Sequence, residues 1–361
     1  MHVTFLLEAL KEAKRGRGYC SPNPAVGAVA VKDNQIIASA WHQGAGSPHA
    51  EQRLLSQMPS HLSDVTLYVT LEPCNHWGKT PPCVDAIVNY GINRVVYAYK
   101  DTNPVVRAND TPAYLSRHDI EVIHHPVDEI NTFYNSYRHW TLTGAPWVTA
   151  KLAQSLDGKI AGKGGKRLQI TNQTCAQFTH EQRHTCDVIL TTASTILHDD
   201  PMLNVRLKGA EQSKPVAIID RQLLVHPSAK VFQYAGPCHI FYDATISLPQ
   251  PIENCTYHPI NCDDERLNLQ SVIKKLGELG YHDVWVEAGP ALFNALHQEH
   301  FVNQTFIYIA PILLGPEATS GYPLPFVPLK PDSIQWHPMD DNMLLSMLWA
   351  NDQLERVCLQ G

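Results

Sequence analysis

The chain has 361 residues, of which 44% are hydrophobic and 17% are charged. At roughly 150 residues per domain this length predicts two domains, and the composition excludes a mainly disordered protein. The 28 lysines and arginines stand against 35 aspartates and glutamates, and the net charge of −7 argues against non-specific binding to nucleic acid or membranes.

The apolar segments and the cysteines predict a cytoplasmic protein. No apolar run reaches the ~20 residues that span a bilayer, and we expect no signal peptide because residues 1–7 lack a basic segment. Nine cysteines at irregular spacing do not form a disulfide framework. We therefore expect free thiols, no membrane partner and no nucleic-acid partner.

The first part of the chain predicts alternating helices and strands. Apolar residues at helical spacing predict a helix over about residues 2–15. The further predicted elements are strands at 25–31 and 35–40 joined by a turn at 32–34, a helix from His49 to about Gln57, a strand at 65–70, a helix at 83–90 ended by Gly91, strands at 94–99 and 121–124, and a helix with Ile130, Phe133, Tyr134, Tyr137 and Trp140 on one face. This alternation predicts a layered α/β domain.

The segment 143–146, Thr-Gly-Ala-Pro, ends that last helix. We place a domain boundary there, with residues 1–145 in the first domain and 146–361 in the second. The predicted elements of the second domain are strands at 147–154, 187–192, 216–220, 239–243, 284–287 and 305–310 and helices at 174–184, 269–279 and 290–298. Its predicted class is again α/β.

The clearest chemical signal is a set of four residues in the first domain. His49 is followed by Glu51, and a Pro-Cys pair occurs at both Cys74 and Cys83. One imidazole and two thiolates make three zinc ligands and leave a fourth tetrahedral position for water. Both cysteines are predicted to begin helices, which favours their thiolate forms. His-x-Glu with two such cysteines is typical of zinc deaminases, in which the glutamate moves protons.

The alternative is a structural zinc site. Such a site has four protein ligands, and the fourth would be His76 or another cysteine.

At these residues the chain resembles the family of bifunctional riboflavin-biosynthesis deaminase/reductases. Eight residues separate Cys74 from Cys83 and include the sequence Gly-Lys-Thr-Pro-Pro at 78–82, and the segments 22–27, 41–42 and 100–104 match as well. The resemblance implies a cytidine-deaminase-like α/β/α domain. By the same resemblance, the residues that hold the pyrimidine and the ribose phosphate are Asn23, His42, His76 and Lys79.

The resemblance continues through the second domain. It rests on segments 151–161, 170–171, 199–201, 205–206, 284–292 and 309–315, and it implies a dihydrofolate-reductase-like α/β fold that uses NADPH. It implies catalytic roles for Lys151 and Asp199. The implied substrate-binding residues are Arg167, Arg183, Leu203, Arg206 and Glu287. The implied cofactor-binding residues are Ala153, Gln169, Thr195, Asp199, Arg221, Gly289, Pro290, Ala291 and Leu292.

Three positions depart from the family pattern. Gln169 stands where a tryptophan is usual, and Arg167 and Arg221 stand where serine is frequent. An arginine at 167 or 221 is a candidate for the extra phosphate of NADPH. The strand-to-helix segment around Gly289 suits phosphate binding, and the lack of Gly-x-Gly-x-x-Gly disfavours a Rossmann domain.

The resemblance therefore implies a zinc-dependent deaminase acting on a small phosphoribosyl pyrimidine, followed by an NADPH-dependent reductase, in a homodimer or higher homo-oligomer. Two alternatives remain open at this point. One is a nucleoside or nucleic-acid deaminase with an inert second domain. The other is a zinc-stabilised ligand-binding protein whose reductase domain has decayed, which is supported by Gln169 and the other departures.

Overall fold

The computed structural model describes residues 1–60, 62–78, 81–107, 109–207, 209–248, 250–322 and 329–349. The chain divides into two compact units, Met1–Gly144 and Ala145–Gly361, called here the N-terminal unit and the C-terminal unit. In the described residues, no helix combines the length and the apolar character that crossing a bilayer requires.

The N-terminal unit is built on one five-stranded sheet. Its strands are β1 (Gly27–Lys32), β2 (Gln35–Trp41), β3 (Thr66–Leu71), β4 (Arg94–Tyr99) and β5 (Glu121–His124). The order is β2-β1-β3-β4-β5, with β1 antiparallel to β2 and β3, and with β3, β4 and β5 parallel. Its helices are α1 (His2–Lys14), α2 (Ala50–Ser56), α3 (Cys83–Tyr90), α4 (Pro104–Arg107), α5 (Thr111–Ser116), α6 (Asp128–Phe133) and α7 (Asn135–Thr143).

Two helical layers cover the two faces of this sheet. Successive strand residues point to opposite faces, so Leu67 and Val69 of β3 pack with α2 and α3, whereas Tyr68 packs with α1. Gly27 lies where β1 meets α1, and a Cβ atom there would come within 2.1 Å of the Ala9 carbonyl oxygen. The predicted α/β/α class of this unit is confirmed.

The predicted turns of this unit are confirmed as well. Asp33 and Asn34 have φ values of +49° and +61°, which form the two-residue connection between β1 and β2. Gly91 ends α3 with a φ of +86°. The short helices α4 and α5 were not predicted, because each is too short to show a helical repeat of apolar residues.

The prediction of one continuous helix through Tyr134 is wrong. The backbone of Tyr134 has a ψ of 7°, and it separates α6 from α7. The Tyr134 hydroxyl donates to the Ala25 carbonyl and bonds with the Thr70 hydroxyl, and the residue is buried. These contacts hold the ring in the core at the point where α6 ends and α7 begins.

The C-terminal unit contains more strands than the sequence predicts. They are β6 (Trp147–Ser155), β7 (Lys159–Lys163), β8 (Val188–Thr192), β9 (Val205–Leu207), β10 (Ala210–Gln212), β11 (Val216–Ile219), β12 (Cys238–Asp243), β13 (Cys255–Ile260), β14 (Cys262–Asp263), β15 (Arg266–Leu267), β16 (Asp283–Glu287), β17 (Gln304–Ala310), β18 (Ala318–Ser320), β19 (Ser333–Met339) and β20 (Asn342–Leu348). Its helices are α8 (Gln173–Thr185), α9 (Ala193–Asp199), α10 (Lys230–Tyr234), α11 (Leu269–Glu278) and α12 (Pro290–Gln298).

Nine of these strands form one sheet in the order β13-β12-β11-β8-β16-β6-β17-β20-β19. The seven strands from β13 to β17 are parallel, and β20 and β19 continue the sheet antiparallel. Apolar side chains fill both faces, with α11 and α12 covering one face and α8, α9 and α10 the other. The predicted α/β class is confirmed for this unit too.

Candidate functional sites

The three predicted metal ligands meet in the N-terminal unit. His49 is the N-cap of α2, Cys74 lies in the segment after β3, and Cys83 is the first residue of α3. His49 Nδ1 lies 3.2 Å from the Cys83 sulfur and 3.5 Å from the Cys74 sulfur. All three ligand atoms lie within 4.8 Å of one another.

These distances fit a tetrahedral zinc ion. Ligand atoms around zinc, with Zn–S near 2.3 Å and Zn–N near 2.0 Å, are separated by about 3.5 to 3.8 Å. In the part of the chain that the structure describes, no further histidine, cysteine or carboxylate joins the group, and His76 is not a member of it. Three protein ligands leave a position for water, which favours the catalytic over the structural type of site.

The prediction that both cysteines begin helices is wrong for Cys74, which lies outside regular structure between β3 and α3. The N-terminus of α3 still interacts with Cys74, because the Cys83 N–H donates to the Cys74 sulfur at 3.3 Å. A hydrogen bond with the Cys83 thiol and another with His49 outweigh burial and lower the pKa of Cys74 to about 4. Burial raises the pKa of Cys83.

Glu51 lies in the first turn of α2, two residues after His49, and is only 3% exposed. Burial, with a smaller contribution from the negative charge on Cys74, raises the pKa of Glu51 to about 7. A carboxyl group with a pKa near neutrality can both accept and return a proton. Glu51 lines the same cavity as His49 and Cys74.

That cavity has a volume of about 270 Å³ and is also lined by three of the residues assigned to substrate binding, Asn23, His42 and His76. His42 Nδ1 donates to the Pro48 carbonyl at 3.2 Å, so its Nε2 accepts from the Asn23 amide at 3.1 Å. Burial lowers the pKa of His42, which keeps it neutral. Nδ1 of His76 is buried with no partner among the described residues. Lys79 lies outside the described residues.

The lining residues that the sequence analysis did not assign to the site include Glu72, Asp101, Asn103, Tyr137 and Trp140. Asp101 and Asn103 belong to the segment 100–104, which the sequence analysis matched to the deaminase/reductase family. That match was a signal from which both residues could have been assigned to the site. Tyr137 and Trp140 lie on the apolar face of a predicted helix, and that pattern predicts only that they pack in the core.

In the C-terminal unit, four of the predicted cofactor-binding residues lie near or after the ends of parallel strands. Ala153 is near the end of β6, Thr195 follows β8 in α9, Arg221 follows β11, and Gly289 follows β16. Because these strands are parallel, their carboxyl ends share one edge of the sheet. Arg221 is two strands away from Gly289 along this edge, or roughly 10 Å at ordinary strand spacing.

Between β8 and β16, the connections that leave the two neighbouring strands run in opposite directions across the sheet. The chain leaves β8 toward β11 on one side, and it leaves β16 toward β17 on the other. Ligands of open α/β sheets bind in the crevice at such a point. Thr195 and Asp199 in α9 follow β8, and residues 289–292 follow β16.

Gly289 is the N-cap of α12, and Pro290 is its first residue. The φ of Gly289 is −66°, and a Cβ atom there would meet nothing within 4 Å. Neither backbone conformation nor packing therefore requires glycine. The open space in front of the helix N-terminus leaves room for a phosphate to approach the N–H groups of Ala291 and Leu292.

Arg183 and Glu287 form a largely buried ion pair. The Arg183 Nε and Nη2 atoms donate to the two carboxylate oxygens at 2.5 and 2.9 Å, and Nη1 donates to the Asn204 carbonyl. Trp285 Nε1 also donates to Glu287. Burial opposes ionisation, but attraction to Arg183 outweighs it and lowers the pKa of Glu287 to about 2. All three Arg183 nitrogens thus have partners within the protein.

Lys151 lies directly beside Glu287, because the two are register partners on β6 and β16. Its Nζ is 5.6 Å from the centre of the Tyr308 ring. Burial lowers the pKa of Lys151, and the negative charge of Glu287 acts in the opposite direction. The structure therefore brings together Lys151, Arg183 and Glu287, which the sequence analysis named separately.

The remaining predicted residues have local contacts. Exposed Arg167 lies 3.7 Å from Asp199, and exposed Gln169 donates to the Thr171 carbonyl. Leu203 is buried with a φ of +49°, and the side chain of Arg206 contacts Asn204.

Comparison with known proteins gives a separate family match in each unit. A family model of the cytidine and deoxycytidylate deaminase zinc-binding region matches residues 1–99, and the model of the RibD C-terminal domain matches residues 146–335. The riboflavin biosynthesis protein RibD of Escherichia coli is 35% identical over 345 residues, covering 92% of this chain and 94% of that protein. The chain belongs to the RibD family. The Aquifex aeolicus member is 34% identical over 88% of this chain and 89% of its own length.

Solved structures of the family extend the agreement to the fold. Acinetobacter baumannii RibD superposes with a TM-score of 0.84 at 29% identity, covering 97% of this chain and 99% of that one. A Thermotoga maritima protein described as a diaminohydroxyphosphoribosylaminopyrimidine deaminase/5-amino-6-(5-phosphoribosylamino)uracil reductase gives 0.84 at 31% identity with the same coverage. The match spans both units, so an inert second domain is not supported.

Proposed function

We propose that the chain catalyses two successive steps of riboflavin biosynthesis. The N-terminal unit deaminates 2,5-diamino-6-(5-phosphoribosylamino)pyrimidin-4(3H)-one to 5-amino-6-(5-phosphoribosylamino)uracil. The C-terminal unit then reduces the ribose of that product to the ribityl phosphate with NADPH. The observation that carries the proposal is the group of His49, Cys74 and Cys83, two members of which, His49 and Cys74, line one cavity together with buried Glu51.

In the deamination, His49, Cys74 and Cys83 hold zinc, and the ion supplies a nucleophilic water at neutral pH. Glu51 takes one proton from the water and delivers it to the ring nitrogen, and it then transfers the second proton, from the added hydroxyl, to the amino group that leaves as ammonia. The raised pKa of Glu51 suits both transfers. One water is consumed and one ammonia is released.

The substrate is held by groups that are already oriented. The Asn23–His42 hydrogen bond leaves the Asn23 carbonyl oxygen with no described partner, so it can accept from the pyrimidine. The unpaired His76 Nδ1 offers a second contact. Lys79 supplies a positive charge for the phosphate in this proposal.

In the reduction, NADPH supplies the hydride, and the protein aligns the reactants and provides protons. Residues 289–292 bind cofactor phosphate at the start of α12, with Ala153, Gln169, Thr195, Asp199 and Arg221 along the same edge. Lys151 and Asp199 are the proposed catalytic groups, and Arg167, Leu203 and Arg206 contact the substrate. Arg183 acts on the substrate through Glu287, because its nitrogens already hold that carboxylate and Asn204.

Removal of zinc is expected to separate the two activities. Protein dialysed against a chelator should lose ammonia release, because no other described group activates water. It should still oxidise NADPH when supplied directly with the aminouracil product, since the C-terminal unit uses no metal in this proposal. Ammonia release should return on addition of zinc. Full ammonia release from protein shown by atomic absorption to be metal-free would contradict the assignment.

We also propose that the chain forms a homodimer or higher homo-oligomer through its C-terminal unit. On the edge hairpin β19–β20, Ile334 is 54% exposed and Trp336 is 55% exposed, and they lie opposite Met347 and Leu345. An exposed apolar face on an edge strand favours association with another chain. A second copy of this chain is the proposed occupant.

Trp336→Lys is expected to reduce the sedimenting mass to that of one chain, because it places a charge in the proposed interface. Trp77→Lys is the matched control, since Trp77 is 76% exposed in the N-terminal unit. Analytical ultracentrifugation compares the two variants with the wild type. A monomeric wild type would refute the assembly, as would an unchanged mass for Trp336→Lys.

For the location, we propose the cytoplasm. All eight described cysteines are free. Two of them are the thiolate ligands of the proposed zinc site, which a reducing compartment preserves.

A further inference from the structure

One wall of the deaminase cavity comes from outside the part of the chain that general cytidine deaminases share. The zinc-binding-region model ends at residue 99, whereas Asp101, Asn103 and Tyr137 all line the cavity. The metal ligands and Glu51 lie within the shared part. Residues beyond it are therefore where this chain can select its own substrate.

These three residues form one hydrogen-bonded network. The Tyr137 hydroxyl donates to Asp101 Oδ1 at 2.9 Å, and the Asn103 N–H donates to the same oxygen at 2.8 Å. The Tyr137 hydroxyl also forms a hydrogen bond with the Asn103 side chain. Since Tyr137 is 4% exposed and Asp101 is 5% exposed, the network is shielded from solvent screening.

The other carboxylate oxygen of Asp101 is available. No described residue donates to Oδ2, although Asp101 lines the cavity. Burial raises the pKa of Asp101, while the bonds from Asn103 and Tyr137 oppose the increase. The two donors on Oδ1 thus fix the plane of the carboxyl group and leave Oδ2 to accept from a ligand.

We propose that Tyr137 is a positioning residue that holds the Asp101 carboxylate to accept a hydrogen bond from a pentose hydroxyl of the substrate. This inference rests on the proposed deaminase function. The pyrimidine ring must lie at the metal ligands, so the groups that reach Asp101 are those the ring carries. A phosphate is repelled by Asp101 and by neighbouring Glu72, whose carboxylate accepts from the Asp101 N–H, whereas a hydroxyl donates to a carboxylate.

A double-mutant cycle on the zinc-loaded full chain tests the proposal. Tyr137→Phe keeps the buried ring and removes only the hydroxyl, and Asp101→Asn keeps the side-chain shape. We expect Tyr137→Phe to raise KM for ammonia release about tenfold with little change in kcat. In the Asp101→Asn background the same change should alter KM less than twofold, because the group on which Tyr137 acts is absent.

Tyr114→Phe is the control. It removes a similar Tyr–Asp hydrogen bond, to Asp85, from residues that do not line the cavity. We expect it to leave KM unchanged. An unchanged KM for Tyr137→Phe would overturn the inference while leaving the deaminase assignment intact. An equal effect of Tyr137→Phe in both backgrounds would also overturn it. A wild type that releases no ammonia would instead overturn the proposed function and the inference with it.

Discussion

Glu51→Gln is expected to lower the rate of ammonia release by about 10²- to 10⁴-fold while zinc remains bound. Glutamine fills the same space but cannot take a proton from water or return it to the leaving group. Glu51 is not one of the three clustered ligand residues, so the metal content should not change. The measurement is ammonia release by zinc-loaded protein together with the zinc-to-protein ratio.

Two comparisons make this result specific. Glu121→Gln changes an exposed carboxylate of the same unit, whose ion pair with Arg94 is solvated, and should leave the rate unchanged. Reduction of the aminouracil by the Glu51→Gln protein should also be normal. Undiminished deamination by this variant would show that Glu51 is not the proton carrier. Loss of zinc would show that Glu51 belongs to the metal ligands.

Arg183→Leu is expected to lower the free energy of unfolding of the C-terminal unit by about 3 to 5 kcal/mol. The change leaves the Glu287 carboxylate buried with Trp285 as its remaining close donor. Hydrogen exchange of β16 amides in the full chain measures the loss locally. The reductase activity should fall as well, since Glu287 loses its orientation.

The ion pair also fixes the direction of a pH effect. Because the pKa of Glu287 is lowered to about 2, its contribution to stability is complete above about pH 4.5 and is lost as the pH falls toward 2. In the wild type, β16 protection should therefore decline in that acidic range. The decline should be smaller in Arg183→Leu, which lacks the partner.

A matched exposed pair provides the control. Lys163 and Glu317 are 75% and 69% exposed, and Lys163→Met should change stability by about 0–1 kcal/mol. Combining Arg183→Leu with Glu287→Gln should recover much of the lost stability, because glutamine is neutral and still accepts from Trp285. If the single and double variants were equally unstable, an unpaired buried charge would not be the cause.

Sequence reasoning reached the clustered residues that are the proposed zinc ligands, because zinc chemistry depends on residue type and order. His49, Glu51 and Cys83 lie at element ends that local patterns also predict, namely the starts of α2 and α3. The error at Cys74 was local, since its thiolate is stabilised by a helix to which it does not belong. Such a contact across nine residues leaves no periodic signal.

Other features depend on tertiary contacts and could not be read in advance. Tyr137 follows the same apolar pattern as its core neighbours, and only the fold places its hydroxyl on Asp101, 36 residues away. The pairing of Arg183 with Glu287 spans 104 residues. Six of the seven residues of the edge strand β19 are exposed, so no buried face constrains its sequence. The sequence analysis did not predict this strand.

The central claim is that one chain performs deamination and then reduction, and the most direct measurement follows both in one reaction. Purified zinc-loaded protein is mixed with the diaminopyrimidine ribosyl phosphate and NADPH, and ammonia and NADPH absorbance are recorded together. The account predicts that ammonia appears first and that NADPH oxidation depends on it. Ammonia without NADPH oxidation would contradict the reductase assignment, and neither signal would contradict the account as a whole.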